Sequence, residues 1–321
     1  MGQLMDRINL QKEKKLIDLS RINKTLYEVL LPVETPKIAE QILRHTVLKA
    51  DIRGSTRITQ LMNERGLNPA SHFSMNFFDP ISKIFRMYDA TKIFIEGDAL
   101  ILALFEKSGI PESFYSVSRT CGLAQSILSI IKHYNEICQE NNLPIMELGI
   151  GICYRDAPPM FLFDGDQKIM ISPALNLSDR LSSCSKSVRK HINGVDLPFN
   201  LYVFQATPGN LPNQSETQEI LDRYNVNGIQ INGEAFEKLS REITLRTFSL
   251  DIPGRWPETA LFHVGKFPNL GGGLQMLVIR ESRVARVNPA DYTFLEWTDL
   301  NYFEVCTNPR MIALLEKLMD E

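Results

Sequence analysis

The sequence predicts an α+β protein, an antiparallel sheet with helices packed on it, followed by a small C-terminal α/β appendage. Three observations lead there. Between His45 and Tyr154 the patterning reads strand, helix, hairpin, helix, strand, an order that builds one sheet with helices on a single face. The hydrophobic fraction of 44% and charged fraction of 23% are those of an ordinary globular chain with a core of normal depth. The length, 321 residues, is about twice a typical domain and predicts two of them.

Residues 1–35 read as a helical segment, because Ile8, Leu16, Leu19, Ile22, Leu26 and Leu30 recur mostly at three- and four-residue steps until Pro32 and Pro36 break the pattern. Its apolar stripe fits either packing on its own domain or a dimer contact. Thr46 to Ile52 is a strand, and Arg53-Gly54-Ser55-Thr56 a turn with helix-capping residues. A helical stretch follows, interrupted near Pro69, with Phe73, Phe77, Ile81, Ile84, Phe85 and Tyr88 as its core stripe. Lys92 to Glu96 and Ala99 to Phe105 flank Gly97-Asp98 as a hairpin. A long helix spans about Ser113 to Asn141, and a strand Met146 to Tyr154. A second hairpin turns at Asp164-Gly165-Asp166, and Pro173 opens a helix through Leu181. This order predicts a ferredoxin-like sheet. Further strands are expected at Gly228 to Asn232 and Ala260 to Val264, then a hinge at Gly271-Gly272-Gly273. Strands at Leu274 to Arg280 and Arg283 to Val287 and a helix at Met311 to Met319 complete the appendage. The expected division is thus 1–35, 36–268 and 271–321.

Charge narrows the function classes. With 35 basic and 38 acidic residues the net charge is −3, which speaks against a nucleic-acid binder held by a basic face. The longest strongly apolar run, Ala99 to Phe105, is far short of the roughly 20 residues of a membrane span. Five scattered cysteines, without a C-x-x-C, and five scattered histidines argue against a disulfide framework or a zinc site. A reducing cytoplasm is the expected compartment.

Two carboxylates stand out by position. Asp51 lies where the first strand enters its Gly-Ser-Thr turn, and Asp98 at the tip of the hairpin that should neighbour it. Such a pair can hold two divalent ions about 3.5–4 Å apart, the arrangement of two-metal phosphoryl transfer. Two like charges 4 Å apart repel by about 4 kcal/mol at an effective dielectric of 20, so a polyphosphate would settle there only with cations present. Gly54-Ser55-Thr56 can offer backbone N–H groups and a helix N-terminus to phosphates. Asn176 and Arg180, four apart on a helix, share a face suited to a ribose and to a phosphate gaining charge. Each feature alone is also an ordinary structural device: a hairpin turn, a helix cap, a solvated polar face.

Taken together, these segments resemble the class III nucleotide cyclase family. They are Lys49-Ala50-Asp51-Ile52-Arg53-Gly54-Ser55-Thr56, Glu96-Gly97-Asp98-Ala99 and Asn176-Leu177-Ser178-Asp179-Arg180, in the family's order and at similar spacing over roughly residues 40 to 265. The resemblance implies that Asp51, Asp98 and the Ile52 carbonyl bind two Mn²⁺ or Mg²⁺ ions per site. It implies that Asn176 aligns the ribose and that Arg180 stabilises the transition state. It also implies a head-to-tail homodimer whose two sites each draw residues from both subunits. The basic residue that grips the triphosphate in the family has no clear counterpart, Arg255 being the candidate.

Two departures bear on the substrate. Adenylyl cyclases of the family carry a lysine, and guanylyl cyclases commonly a glutamate, four residues before the second aspartate; here Phe94 stands there. The purine-reading residue three before the asparagine is Pro173. Neither side chain can hydrogen-bond a purine edge. Lys49, on the strand face of Asp51, is within reach of substrate or is simply a strand lysine. A pyrimidine cyclase, an inactive relative and a purine cyclase reading its base elsewhere all fit these departures. The wider chain resembles the Pycsar anti-phage pyrimidine cyclases, through Asn68 to Phe73, Glu96 before Gly97-Asp98, and the tail segments Val278 to Val284 and Tyr302 to Cys306. The tail is similar to that group's cyclase-associated sensor region. The expectation is conversion of UTP to 3′,5′-cyclic UMP and pyrophosphate as an anti-phage second messenger. CTP is the first alternative and a purine nucleotide the next. The alternative of another class is a non-catalytic nucleotide sensor or scaffold.

Overall fold

The computed structural model describes residues 41–164, 167–192, 194–206, 221–253, 256–270 and 272–320. The expected N-terminal helix, Gly165-Asp166, Arg255 and Gly271 lie outside the described residues. An edge-to-edge sheet of eleven strands organises the rest. Its first strand, β1 (Ile42–Ile52), begins four residues earlier than the sequence pattern suggests and leads into α1 (Ser55–Glu64). Four short helical segments then occupy Pro69–Phe73, Ser74–Phe78, Asp79–Ser82 and Phe85–Tyr88. The hairpin is β2 (Thr91–Glu96) and β3 (Ala99–Lys107), followed by α2 (Ser116–Glu140) and β4 (Leu148–Arg155). These strands stand in the order β4-β1-β3-β2, the ferredoxin-like arrangement.

The expectation of helices on one face requires correction. Leu48, Ala50 and Ile52 of β1 pack with Val117, Leu123, Ile127 and Ile131 of α2 in the main core. Val47, on the opposite face, packs instead with Ala174, Leu175 and Leu177 of α3 (Pro173–Ser182). Alternation along β1 gives one apolar face, Leu48, Ala50 and Ile52, and a second that carries Val47 beside His45, Lys49 and Asp51, and α3 covers the apolar part of that second face. Before α3 a two-stranded hairpin, β5 (Met160–Asp164) and β6 (Gln167–Ile171), stands as a separate sheet.

The chain continues through α4 (Lys186–Ile192), β7 (Leu201–Gln205), β8 (Leu221–Asn225), β9 (Gly228–Ile231) and α5 (Gly233–Glu242). It ends with β10 (Arg246–Ile252), β11 (Glu258–Pro268), β12 (Leu274–Val287), β13 (Phe294–Val305) and α6 (Pro309–Asp320). The two strands expected at 274–280 and 283–287 are one, β12, carrying a bulge between Arg283 and Ala285. The glycine run expected to act as a hinge lies in the β11–β12 hairpin connection, where Asn269 N–H donates to Gly273 O at 2.9 Å. β13 meets β9 through Phe303↔Ile231 and Glu304↔Gln230, so the C-terminal strands extend the same sheet. A second core, including Trp256, Phe262, Val278 and Leu315, fills that half. Arg280 at its centre is 0% exposed and donates to Glu304 at 2.9 Å, Glu258 at 3.0 Å and Tyr302 Oη at 3.1 Å. No helix of the described residues is long and apolar enough to cross a membrane.

Candidate active site

Strand register assembles the site. Asp51 pairs with Ala99 on one side and Gly149 on the other, and Glu96 of β2 pairs with Ala99. Directly paired residues share a sheet face, so Gly149, Asp51, Ala99 and Glu96 form one row across four strands. The next row is Gly151, Lys49, Ile101 and Phe94. A bulge at Ile93 sets this alignment, because Lys92 pairs with Leu102 while Phe94 pairs with Ile101. Gly97, at φ +60, makes the tight β2–β3 turn, and Asp98 follows it immediately before Ala99. The two aspartates singled out in the sequence therefore lie at one end of the sheet.

The carbonyl of Ile52 faces the same quarter. Arg53 N–H donates to Glu147 O at 2.7 Å, toward β4. Backbone groups alternate sides along a strand, so those of Ile52 point toward β3, whose pairing with β1 ends at Asp51↔Ala99. Burial raises the Asp51 carboxyl above its ordinary pKa; Arg53 opposes the rise, and nearby Asp98 adds to it. Two carboxylates and a carbonyl are hard oxygen donors that fit a divalent cation. Among the described residues no group of three or more His, Cys, Asp or Glu side chains could hold a metal by itself. A cation held by these groups would take the rest of its shell from water or phosphate oxygens, as is usual for Mg²⁺.

Gly54, in the left-handed region at φ +63, precedes α1 without a side-chain cap. Its carbonyl accepts from Arg57 and Ile58, and Ser55 and Thr56 open the helix. Lys49 is only 7% exposed and its ammonium is bound on two sides, by Glu96 at 2.8 Å and Asp179 at 2.7 Å. Burial alone would drive it toward neutrality, but Asp179 and Glu96 outweigh that and raise its pKa. The lysine therefore joins β1 to the β2–β3 hairpin and to α3. Phe94, in the same row, is exposed.

α3 presents Asn176 on an exposed position and Arg180 on a half-buried one, Arg180 lying near Arg223 of β8. Ser172 caps the helix by accepting Ala174 N–H at 3.0 Å, and Pro173 occupies its first turn. Ser172 is in turn held by buried His45 Nε2 at 2.6 Å. The helix lies almost in backbone contact with β4: a side chain at Gly151 would strike the Ser178 carbonyl. At the other end of α3 Asn225 Nδ2 donates to Leu181 O at 2.9 Å. The Lys49 ion pairs and the glycines of β4 escaped the sequence reading, although Gly149-Ile150-Gly151 is the alternation that marks close approach of another backbone.

No protein-family model and no curated protein matches the chain. Among solved structures, it is similar to the adenylyl cyclase CyaB from P. aeruginosa, with a TM-score of 0.44, 15% identity, and coverage of 70% of this chain and 95% of that one. The guanylate cyclase domain of RhGC from Catenaria anguillulae in complex with GTP gives a TM-score of 0.41 at 13% identity, covering 83% and 97%. A bacterial light-regulated adenylyl cyclase gives 0.41 at 12%, covering 69% and 90%.

Proposed function

We propose that the protein is a metal-dependent pyrimidine nucleotide cyclase converting UTP to 3′,5′-cyclic UMP and pyrophosphate, in the service of anti-phage signalling. The observation that carries this reading is the row that sets Asp51 beside Ala99, with Asp98 next in the chain at the hairpin turn. Asp51, Asp98 and the Ile52 carbonyl would hold two Mn²⁺ or Mg²⁺ ions, which when bound neutralise phosphate charge and lower the pKa of the ribose hydroxyl. The ribose 3′-oxygen attacks its own α-phosphorus, the bond to the bridging oxygen breaks, pyrophosphate leaves, and the hydroxyl proton passes to solvent. The N–H groups of the Gly54-Ser55-Thr56 turn receive the phosphates, Asn176 orients the ribose, and Arg180 offsets charge growing on the α-phosphate. Phe94 supplies an apolar wall with no purine-specific hydrogen bond, and Lys49, in the same row, borders the base.

Two copies set head to tail would bring the metal carboxylates of one to the Asn176 and Arg180 of the other. The β5–β6 hairpin supports assembly, since Met160 is 67% and Phe163 73% exposed, with Leu162, Ile169 and Ile171 also open. Incubating the pure protein with Mn²⁺ and each NTP separately, then resolving products by mass, tests the reading. Cyclic UMP from UTP is expected. Conversion of ATP or GTP alone overturns the pyrimidine assignment, cyclic CMP alone moves it to cytosine, and no product from any NTP favours the scaffold.

A further inference from the structure

Between Asp51 and the Gly54 turn stands Arg53, a residue the reaction scheme above does not use. It shares the strand face of Asp51, two residues on, and its side chain is only 8% exposed. The guanidinium turns under the sheet and meets three partners on three segments. Nη1 donates to Asp51 Oδ2 at 2.7 Å, Nε donates to the Asn225 carbonyl at 3.1 Å, and Nη2 donates to the Ser182 carbonyl that ends α3. The space exists because residue 149, the β4 partner of Asp51, is glycine: a Cβ there would overlap the guanidinium and crowd the Ser182 carbonyl.

A buried arginine with this contact set is not a surface ion pair. Its rigid planar fork fixes direction as well as charge, and no other side chain can meet three acceptors in that geometry. Binding one oxygen of Asp51 fixes the carboxylate plane and leaves Oδ1 as the oxygen for a cation. The same guanidinium ties that carboxylate to the last turn of α3, the helix of Asn176 and Arg180.

We infer that Arg53 is a positioning residue for Asp51, seated by Gly149, that presents one carboxylate oxygen to a divalent ion and registers α3 against the metal-binding strand. The inference rests on the assignment of Asp51 as a metal carboxylate. Lysine at position 53 keeps the charge but meets at most part of the contact set. Loss of such outer partners weakens metal binding by about 10- to 100-fold.

The test uses the full chain and Mn²⁺ alone, with bound ion read from the loss of the free Mn²⁺ electron paramagnetic resonance signal. Wild type, Asp98→Ala, Arg53→Lys and Gly149→Ala are compared, with circular dichroism confirming each fold. Saturable binding by wild type, loss in Asp98→Ala and binding weakened about 10- to 100-fold in Arg53→Lys and Gly149→Ala are expected. Wild-type affinity in a folded Arg53→Lys overturns the positioning role while leaving the metal assignment standing. Absence of saturable binding in wild type overturns both. Should the variants not fold, the wild-type Arg53 Nε–H resonance, followed during Mg²⁺ titration, decides: a saturable shift supports the inference and an unmoved resonance overturns it.

Discussion

At the scale of single residues, the site is a set of charges whose neighbours determine what each can do. In the proposed scheme Arg180 is the basic member of the α3 pair and meets the α-phosphate, and Asn176 shares its helical face. Arg180→Ala should lower kcat by about 10²–10³-fold, the usual cost of losing one donor that stabilises developing negative charge. Steady-state cyclisation with Mn²⁺ and UTP measures it, and a folded variant with wild-type kcat would remove Arg180 from the chemistry. Where the carboxylates, the Gly-Ser-Thr turn and the Asn/Arg pair stand in the fold was legible in the sequence, because each occupies an end or a face that local patterning exposes. The Lys49 bonds to Glu96 and Asp179 were not, since they join residues far apart in the chain whose meeting depends on register. The Ile93 bulge, one residue that moves Lys92 to the other face, has no sequence signal at all.

At the scale of elements, α3 is held by polar contacts at both ends, and one of them titrates. His45 Nδ1 faces the Ala157 carbonyl at 2.7 Å and so must donate, leaving Nε2 to accept the Ser172 hydroxyl that caps the helix. Burial lowers the His45 pKa, with Arg155 adding to the effect and the Ala157 bond opposing it. The unfolded chain gains a proton near pH 6.5 while the folded one resists it, so this contribution is full above about pH 6.5 and falls on acidification. His45→Gln should flatten the decline in thermal midpoint between about pH 7 and pH 5. An unchanged slope would show that other groups set it. In the second core, Arg280→Leu leaves Glu258 and Glu304 buried without their cation. Destabilisation of about 3–5 kcal/mol in denaturant unfolding is expected. Element types from Thr46 through Leu181 followed from periodicity, whereas the helix Lys186–Ile192 was not read. The C-terminal strands were read as shorter pieces because polar Glu281, Ser282 and Arg283 interrupt the apolar pattern, yet Ser282 is buried, donating to Glu258 at 2.6 Å.

At the scale of the whole molecule, activity should depend on association. Phe163 stands on a hairpin that has its own small sheet and several open apolar side chains. Phe163→Asp should shift sedimentation from dimer to monomer and abolish turnover together. A monomeric variant with full activity would place a complete site in one copy. The C-terminal appendage was expected from the glycine run, and the pairing of its strands with β9 and β11 has no local sequence signal, because it joins residues far apart in the chain.

That return has a practical consequence. Among the described residues β10 and β11 reach the rest of the sheet only by way of β12, and β9 is covered on one side by β13. A chain cut after Pro268 would leave β9 and β11 with bare hydrogen-bonding margins and Glu258 without Arg280. Such raw strand borders recruit other molecules, so the shortened protein should emerge as insoluble aggregate, and expression trimmed to the region of the recognised motifs will mislead anyone testing it for catalysis.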